Sequence, residues 1–398
     1  MLRRVEIQNL SSKACATVGA PKLLAFQGLD ALLSSRDFGS RPRAREIDSG
    51  RLLEWRPRMT LDEAVALSLA ENLSRVNLTA RLHAGDPFLR ERALPMLVRA
   101  PEVRAAAAAA GIVPLAWNDP RYPARLLTIP DCPPLLWCRG CLDALAGPAV
   151  AIVGARSASV AGVEIADRLA ADLAARGITV VSGLARGVDG AAHRGAVRTG
   201  RTIAVMASGA DRVYPPEHEA LARDIIASGL IISEYGPGTA PLPFRFPLRN
   251  RVISALADAV VVVEASERSG SLITAACALD QGRDVMAVPG SVLGGRNRGG
   301  HALIRDGAKI VECADDIVGE LRHLPGWSEI GTAEVTSKQP TAYGHAVLGH
   351  MGVGQACAFD QLAAVSGLAG PALLAVLSAL ELSGRVRRLP GGGFLRVS

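Results

Sequence analysis

The feature that most constrains the fold is a stretch of two apolar strands joined by a helix, residues 149–189. Residues 149–153 are rich in β-branched and small apolar side chains and end at Gly154. Residues 163–175 repeat apolar side chains at helical spacing, and residues 178–181 form a second apolar run. This order predicts a βαβ unit with parallel strands, in a sheet whose ligands bind beyond the carboxyl ends of the strands.

Both strands of this unit end in turns that combine an arginine with small residues. Arg156 follows the first strand and Arg186 follows the second. Small residues leave backbone N–H groups open to a ligand, and a guanidinium group can grip phosphate through two parallel hydrogen bonds. We therefore predict that these two turns bind phosphate.

Two later segments carry the same chemistry. Residues 246–251 (FPLRNR) place two arginines and an asparagine at a predicted loop-to-helix junction, where a helix predicted over residues 250–257 begins. Residues 264–271 follow an apolar strand and open another helix with hydroxyl groups and glycine. Each segment alone fits ordinary helix capping or an Arg–Glu pair, but four such turns on one sheet favour a shared phosphate site. The predicted site residues are Gly154, Arg156, Ser157, Ser182, Gly183, Arg186, Gly187, Arg249, Asn250, Arg251, Ser269, Gly270 and Ser271.

The arginine-bearing turns suggest a site without an aromatic platform. Residues 149–189 contain no Phe, Tyr or Trp. We therefore expect binding through the sugar–phosphate backbone of a nucleic acid, with a steep salt dependence and little sequence preference.

Net charge does not identify the ligand, because the positive excess is concentrated at the N-terminus. The 398 residues carry a formal charge of +6, of which +5 falls within residues 1–58. No apolar run approaches the ~20 residues of a membrane span, and no secretory leader is visible. Seven cysteines, mostly in apolar segments, fit a reducing compartment. We expect a cytoplasmic protein that does not bind membranes, with any anion site formed locally.

Motifs of other nucleotide-binding and catalytic sites do not match. Gly154 and Gly162 are too far apart for the G-x-G-x-x-G fingerprint of NAD sites, and the chain contains neither a P-loop nor a G-x-S-x-G elbow. Asp189 and His193 are spaced four apart, and we interpret them as local hydrogen-bonding residues of one helix. The CRGC segment at residues 138–141 is half a zinc motif without its second half. We predict no metal and no cofactor.

Changes in composition divide the chain into segments. Residues 1–58 are arginine-rich and aperiodic, and a capping box from Thr60 to Glu63, directly after Met59, opens the first regular helix. We expect Met59 to be the true start, and residues 1–58 to be a disordered tail or a wrongly assigned extension. The other predicted parts are a small helical N-terminal module over 59–111, an α/β domain with a doubly wound parallel sheet over 112–323, a linker over 324–341, and a winged-helix-like domain over 342–398.

Several motifs together resemble the DprA/Smf family of DNA-processing proteins. They include VGARSAS, VSGLARGVDGAAH, FPLRNRVIS, EASERSGSLITAACALDQGRDVMAVPG and LIRDGA, in the family's order over about residues 120–318. The resemblance implies an extended Rossmann-like domain that binds single-stranded DNA, forms a homodimer, protects incoming DNA and loads RecA during transformation, without catalysis. It also implies that the family's DNA-contacting arginine falls on Arg156 and that the basic residue of its SGLA-[KR]-G turn falls on Arg186.

The chain departs from the family pattern at two places. Its N-terminal module resembles the family's only loosely, and Gly299-Gly300-His301 stands where members often have G-[TC]-N. The C-terminal segment resembles the winged-helix appendix of many members, with a mostly apolar helix at the position of the recognition helix.

Two alternative functions remain open at this stage. The first is a Rossmann-like enzyme that binds or hydrolyses nucleotides, which usually has a PGGxGT-like loop. Residues 269–274 read SGSLIT instead. The second is a DNA-binding regulator driven by its winged helix, which would lose all DNA binding if residues 341–398 were deleted.

Overall fold

The computed structural model describes two compact units, one within Met1–Ile330 and one within Gly331–Ser398. The described residues are 59–70, 86–327, 330, 342–368, 370–382, 385–389 and 393–397. The predicted N-terminal tail and most of the predicted linker lie outside them.

A nine-stranded sheet forms the centre of the first unit, in the order β1-β2-β6-β5-β4-β3-β7-β8-β9. The strands are β1 (Val113–Ala116), β2 (Leu135–Gly140), β3 (Ala149–Val153), β4 (Thr179–Ser182), β5 (Thr202–Met206), β6 (Leu230–Ser233), β7 (Ala259–Val262), β8 (Asp284–Ala287) and β9 (Lys309–Ile310). The seven strands from β6 to β9 are parallel. Strand β2 pairs antiparallel with β6, the outermost of the parallel strands, and β1 pairs antiparallel with β2. Strand β3 pairs with β4 on one side and with β7 on the other, so the strand order reverses between β3 and β7.

Helices cover both faces of the sheet, which confirms the predicted doubly wound α/β fold. They are α1 (Leu61–Leu69), α2 (Pro87–Leu97), α3 (Ala100–Ala109), α4 (Val160–Ala175), α5 (Val188–Val197), α6 (Glu219–Ser228), α7 (Arg245–Leu256), α8 (Ser271–Asp280), α9 (Arg298–Arg305) and α10 (Ala314–Leu321). Successive side chains of a strand point to opposite faces. In β3, Ala151 and Val153 therefore pack in one hydrophobic cluster, whereas Val150 and Ile152 pack in another.

The first helix begins as the sequence predicts. Thr60 and Glu63 form the capping box at the start of α1. The side chain of Met59 is buried in the same hydrophobic cluster as β1 and β2, and its carbonyl accepts a hydrogen bond from Asn118 Nδ2 at 3.0 Å. The helical N-terminal segment thus shares the core of the sheet domain.

The predicted linker begins later than residue 324. Trp327 is buried against the sheet, and its Nε1 donates to Asp258 Oδ2 at 2.9 Å. The large apolar ring of Trp327 contributes to the hydrophobic core. The chain therefore packs against the sheet domain at least as far as this residue.

The second unit has the predicted outline of a winged helix. It contains α11 (Ala342–Gly349), β10 (Ala356–Ala358), α12 (Phe359–Ser366), α13 (Gly370–Leu382), β11 (Val386–Arg388) and β12 (Gly393–Arg396). The three strands form an antiparallel sheet in the order β10-β12-β11. Leu362, Leu373, Leu377 and Phe394 belong to its own hydrophobic core.

Candidate nucleic-acid interface

A cavity of about 560 Å³ lies at the carboxyl ends of β3 and β7. This is the point where the strand order reverses, which is where open α/β sheets bind ligands. Three predicted segments meet there: the turn after β3, helix α7 and the start of α8. The predicted residues that line it are Gly154, Arg156, Ser157, Arg249, Asn250, Ser269, Gly270 and Ser271.

An aromatic ring lines this crevice, contrary to the expectation of a site without one. Phe246 lines the cavity, and the guanidinium carbons of Arg156 and Arg249 lie 5.2 and 6.0 Å from its ring centroid. Tyr214, which is partly exposed, meets the same ring edge-on with centroids 5.6 Å apart. The expectation failed because it considered only residues 149–189, whereas the ring arrives on a helix from elsewhere in the chain.

Helix α7 begins at Arg245, well before the predicted start at residue 250. Pro247 lies in its first turn, where the missing N–H breaks no helical hydrogen bond. Arg249 and Arg251 therefore lie inside the helix rather than at a loop-to-helix junction, and their N–H groups are not open to an anion. This corrects the reason for which they were selected.

Arg249 is buried beneath the crevice. Its side chain passes under the end of β4, where Nη1 donates to the carbonyl of Gly183 at 2.8 Å and also to the carbonyl of Val205. A Cβ at position 183 would overlap the guanidinium group, so any other residue there would have to displace the Arg249 side chain. Burial lowers the pKa of Arg249 to about 10, against the opposing effect of the nearby Asp189 carboxylate.

The structure does not bring Arg251 to the crevice. Its buried guanidinium forms ion pairs with Asp131 at 2.7 Å and with Glu234 at 2.8 Å. Both carboxylates lie outside the cavity lining. This arginine therefore joins α7 to the segments before β2 and after β6.

The turn after β4 divides into a supporting part and an exposed part. Ser182 is buried, and its hydroxyl donates to the carbonyl of Ile152 at 2.7 Å. Gly187 has a φ of +71°, and a side chain there would strike the backbone of Ala155 and Arg156 in the neighbouring turn. Arg186 is exposed, pairs with Glu217, and does not line the cavity.

Asp189 bonds nearby backbone groups, as its interpretation from the sequence states, whereas His193 bonds a residue of strand β5 rather than a local partner. Asp189 lies in the first turn of α5, and its Oδ2 accepts from the N–H groups of Gly183 and Ala185 at 3.1 and 3.4 Å. Burial raises the pKa of Asp189, and Arg249 opposes that shift. His193 is fully buried with Nδ1 2.8 Å from Thr202 Oγ1, and burial lowers its pKa to about 3.

The start of α8 closes the crevice with small polar groups. The hydroxyl oxygens of Ser269 and Ser271 lie 2.7 Å apart, and Asn250 Nδ2 donates to the carbonyl of Gly270 at 3.3 Å. The N-terminal end of a helix carries a partial positive charge. This wall of the crevice therefore favours an anion.

The lining residues that sequence reasoning did not select include Phe246, Glu264 and Arg296. Glu264 is buried and accepts hydrogen bonds from the N–H of Ser159 at 3.2 Å and from its hydroxyl at 2.5 Å. Phe246 and Glu264 fall inside the FPLRNR and EASERSGS motifs, so their place in those motifs could have identified them as site residues. Arg296 lies in the loop before α9, and no local pattern distinguished it.

The described residues give no geometry for a metal site or a membrane span. Among them, no group of three or more His, Cys, Asp or Glu is placed to hold a metal ion. Cys138 is buried in β2, and burial raises its pKa to about 12, which disfavours the thiolate that zinc requires. None of the helices in the described ranges is long and apolar enough to cross a membrane.

A mostly parallel, doubly wound sheet with an arginine-lined crevice at its switch point defines a Rossmann-like class of protein. Residues 114–322 match the family model described as DNA recombination-mediator protein A, and residues 332–392 match the DprA winged helix domain. The chain belongs to the DprA/Smf family of DNA-processing proteins.

Curated relatives and a solved structure of this family are similar to the chain. DNA processing protein DprA of Streptococcus pneumoniae is 46% identical over 203 residues, 51% of this chain and 72% of that protein. Protein Smf of Escherichia coli is 37% identical over 277 residues, 68% of this chain and 74% of that protein. The X-ray structure of DprA from Streptococcus pneumoniae matches with a TM-score of 0.58 and 36% identity, covering 66% of this chain and 99% of that one.

Proposed function

We propose that the crevice between β3 and β7 binds single-stranded DNA, with phosphate on Arg156 and a base on Phe246. One observation carries the proposal: an exposed arginine, an aromatic ring and a helix N-terminus line a single cavity. Arg156 forms no ion pair with any described residue, so its guanidinium remains available to a phosphate. Aromatic stacking together with arginine contacts is the usual chemistry of single-strand binding.

The shape of the site supports a single strand over a duplex. A duplex is read by helices or strands that protrude into its grooves. The cavity here is concave and about 560 Å³ in volume, a size that encloses small groups. Bases can enter it only when they are not stacked in a duplex. Stacking on Phe246 is tolerant of sequence because every base has an aromatic face.

The carboxylates of the crevice support binding rather than catalysis. Oδ2 of Asp189 accepts from two backbone N–H groups, and Glu264 accepts from Ser159. Carboxylates held in this way position the turns after β3 and β4. The proposal therefore assigns them no acid–base step.

The experiment is a comparison of single-stranded and double-stranded oligonucleotides of equal length over a salt series. We expect tighter binding of the single strand, a steep salt dependence, and less than about tenfold (roughly 1.4 kcal/mol) difference among unrelated sequences. Tighter binding of the duplex would contradict the proposal. Turnover of a nucleotide without single-strand binding would favour the enzyme alternative.

We extend the proposal to the cellular role that the family resemblance implies, namely that a homodimer protects incoming DNA in the cytoplasm and loads RecA onto it. Sedimentation of the chain over a range of concentrations tests the dimer. Nuclease digestion of bound oligonucleotides and RecA filament assembly on single strands test protection and loading. A monomer at all concentrations, or unchanged filament assembly, would contradict that extension.

A further inference from the structure

We propose that Arg296 is a second phosphate-binding residue of the crevice, supplied by the loop between β8 and α9. The inference rests on the proposed single-strand function and deepens it. This residue would give the bound DNA strand a contact from a loop other than the two turns that carry Arg156 and Arg186.

The geometry places the side chain of Arg296 against the turn that carries Arg156. Its Nη1 donates to the carbonyl of Ser157 at 2.8 Å, and the side chain lines the cavity. Yet 58% of the side-chain surface remains exposed. A guanidinium group has five N–H donors. The exposed donors of Arg296 therefore face solvent where a phosphate beside Arg156 would lie.

The charge of the crevice gives a second reason. Glu264 lines the cavity with a side chain only 5% exposed, and a buried carboxylate there would repel a phosphate. Arg296 Nη1 lies 3.7 Å from Glu264 Oε1. It therefore offsets that charge from a position at the cavity surface. Since opposite charges at this separation attract, a phosphate can approach without facing an uncompensated carboxylate.

The chain provides a matched control two residues further on. Arg298 opens α9, is 66% exposed, and lies 3.9 Å from the exposed Glu267. It has the same charge and comes from the same stretch of chain, but it does not line the cavity. Removing either arginine should weaken the long-range attraction of DNA equally. A direct contact with a phosphate is lost only when Arg296 is removed.

The experiment measures single-strand affinity of the full chain over a salt series for wild type, Arg296→Ala, Arg296→Lys and Arg298→Ala. We expect Arg296→Ala to lower the log–log salt slope by about 0.7 and the affinity at 0.1 M salt by about fivefold. Arg298→Ala should show only the small long-range effect that both alanine changes share, and Arg296→Lys should keep the slope because it keeps the charge. Melting temperatures of all four proteins verify that they are folded.

A second background separates direct contact from simple charge compensation. In a Glu264→Gln protein, Arg296→Ala should still lower the slope by about 0.7. If Glu264→Gln instead restores the wild-type slope and affinity to Arg296→Ala, Arg296 acts only as a counter-ion and the inference is overturned. Equal behaviour of Arg296→Ala and Arg298→Ala overturns it too, while the proposed function stands. Absence of single-strand binding by wild type would overturn both.

Discussion

The arginines selected from the sequence fall into two groups that differ in burial. Arg156 and Arg186 are exposed on turns, whereas Arg249 and Arg251 are buried within α7. A buried guanidinium needs partners inside the protein, and Arg249 bonds two backbone carbonyls while Arg251 pairs with two carboxylates. An exposed guanidinium group can exchange its partner for a ligand. The two groups should therefore respond oppositely to substitution.

Arg251→Ala should destabilise the fold by about 3–5 kcal/mol, because it leaves the buried Glu234 carboxylate without its cation. Arg156→Ala should change stability by no more than about 0.5 kcal/mol, since its side chain lies at the surface. The same Arg156 change should lower the single-strand salt slope by about 0.7. Urea unfolding and a salt-dependent binding series measure the two effects. An early-melting Arg156→Ala protein with a wild-type slope would show that this arginine is structural.

Glu217→Gln should modestly raise single-strand affinity. Arg186 is paired with Glu217 at the surface, and the neutral amide would release its guanidinium for a phosphate and remove a negative charge beside it. Because exposed pairs are weak, we expect about a twofold gain at low salt, and the gain should vanish at high salt. Glu219→Gln, an exposed change two residues further on, is the control. Equal gains from both changes would indicate a general charge effect.

Helix α7 contributes the aromatic ring of the site. Phe246→Leu should lower single-strand affinity by about tenfold, because stacking on an aromatic ring contributes about 1–3 kcal/mol per base. It should leave the salt slope unchanged, since no charge is lost. Phe246→Tyr keeps the ring and should bind almost as well as wild type. A slope change with Phe246→Leu would mean that the ring mainly positions Arg156.

Helix α5 carries a buried histidine that should make stability depend on pH. The pKa of His193 is lowered to about 3 in the fold by burial, with His218, Arg249 and Arg194 adding to the shift. In the unfolded chain it titrates near about 6.5. The unfolded state therefore gains a proton first, so stability is present above about pH 6.5 and is lost as the pH falls toward 3.

Between pH 7 and pH 5 this single group should cost about 2 kcal/mol of stability. His193→Gln removes the titration, so its unfolding free energy should vary less over that range. Denaturant unfolding at both pH values measures the difference. Equal pH dependence in the two proteins would mean that His193 is not the group responsible.

At the scale of the whole molecule, the crevice lies entirely within the first unit. The second unit has its own core of Leu362, Leu373, Leu377 and Phe394. A chain that ends at Ile330 should therefore fold and keep single-strand affinity within about threefold, because all lining residues remain. Fluorescence anisotropy with the two chains measures this. Complete loss of binding would favour a regulator that acts through its winged helix.

The sequence by itself determined the features that are encoded locally. Alternating apolar strands and helices predicted the doubly wound sheet, because each pattern reflects the faces that one element buries. The turns after β3 and β7 were located because glycine, serine and arginine directly follow apolar strands. Because the carboxyl ends of parallel strands lie at one edge of a sheet, the sequence also predicted that these turns lie close together.

Which of those residues line the crevice depends on tertiary packing. Arg249, Asn250 and Arg251 are consecutive polar residues, and the sequence does not show which of them lines the crevice. In the fold, Arg251 pairs with Glu234, whereas Asn250 lines the crevice. Arg296 reaches the carbonyl of Ser157 across 139 positions of the chain. The physical reason is that burial and charge pairing depend on which elements pack together, and no local pattern specifies contacts over such separations.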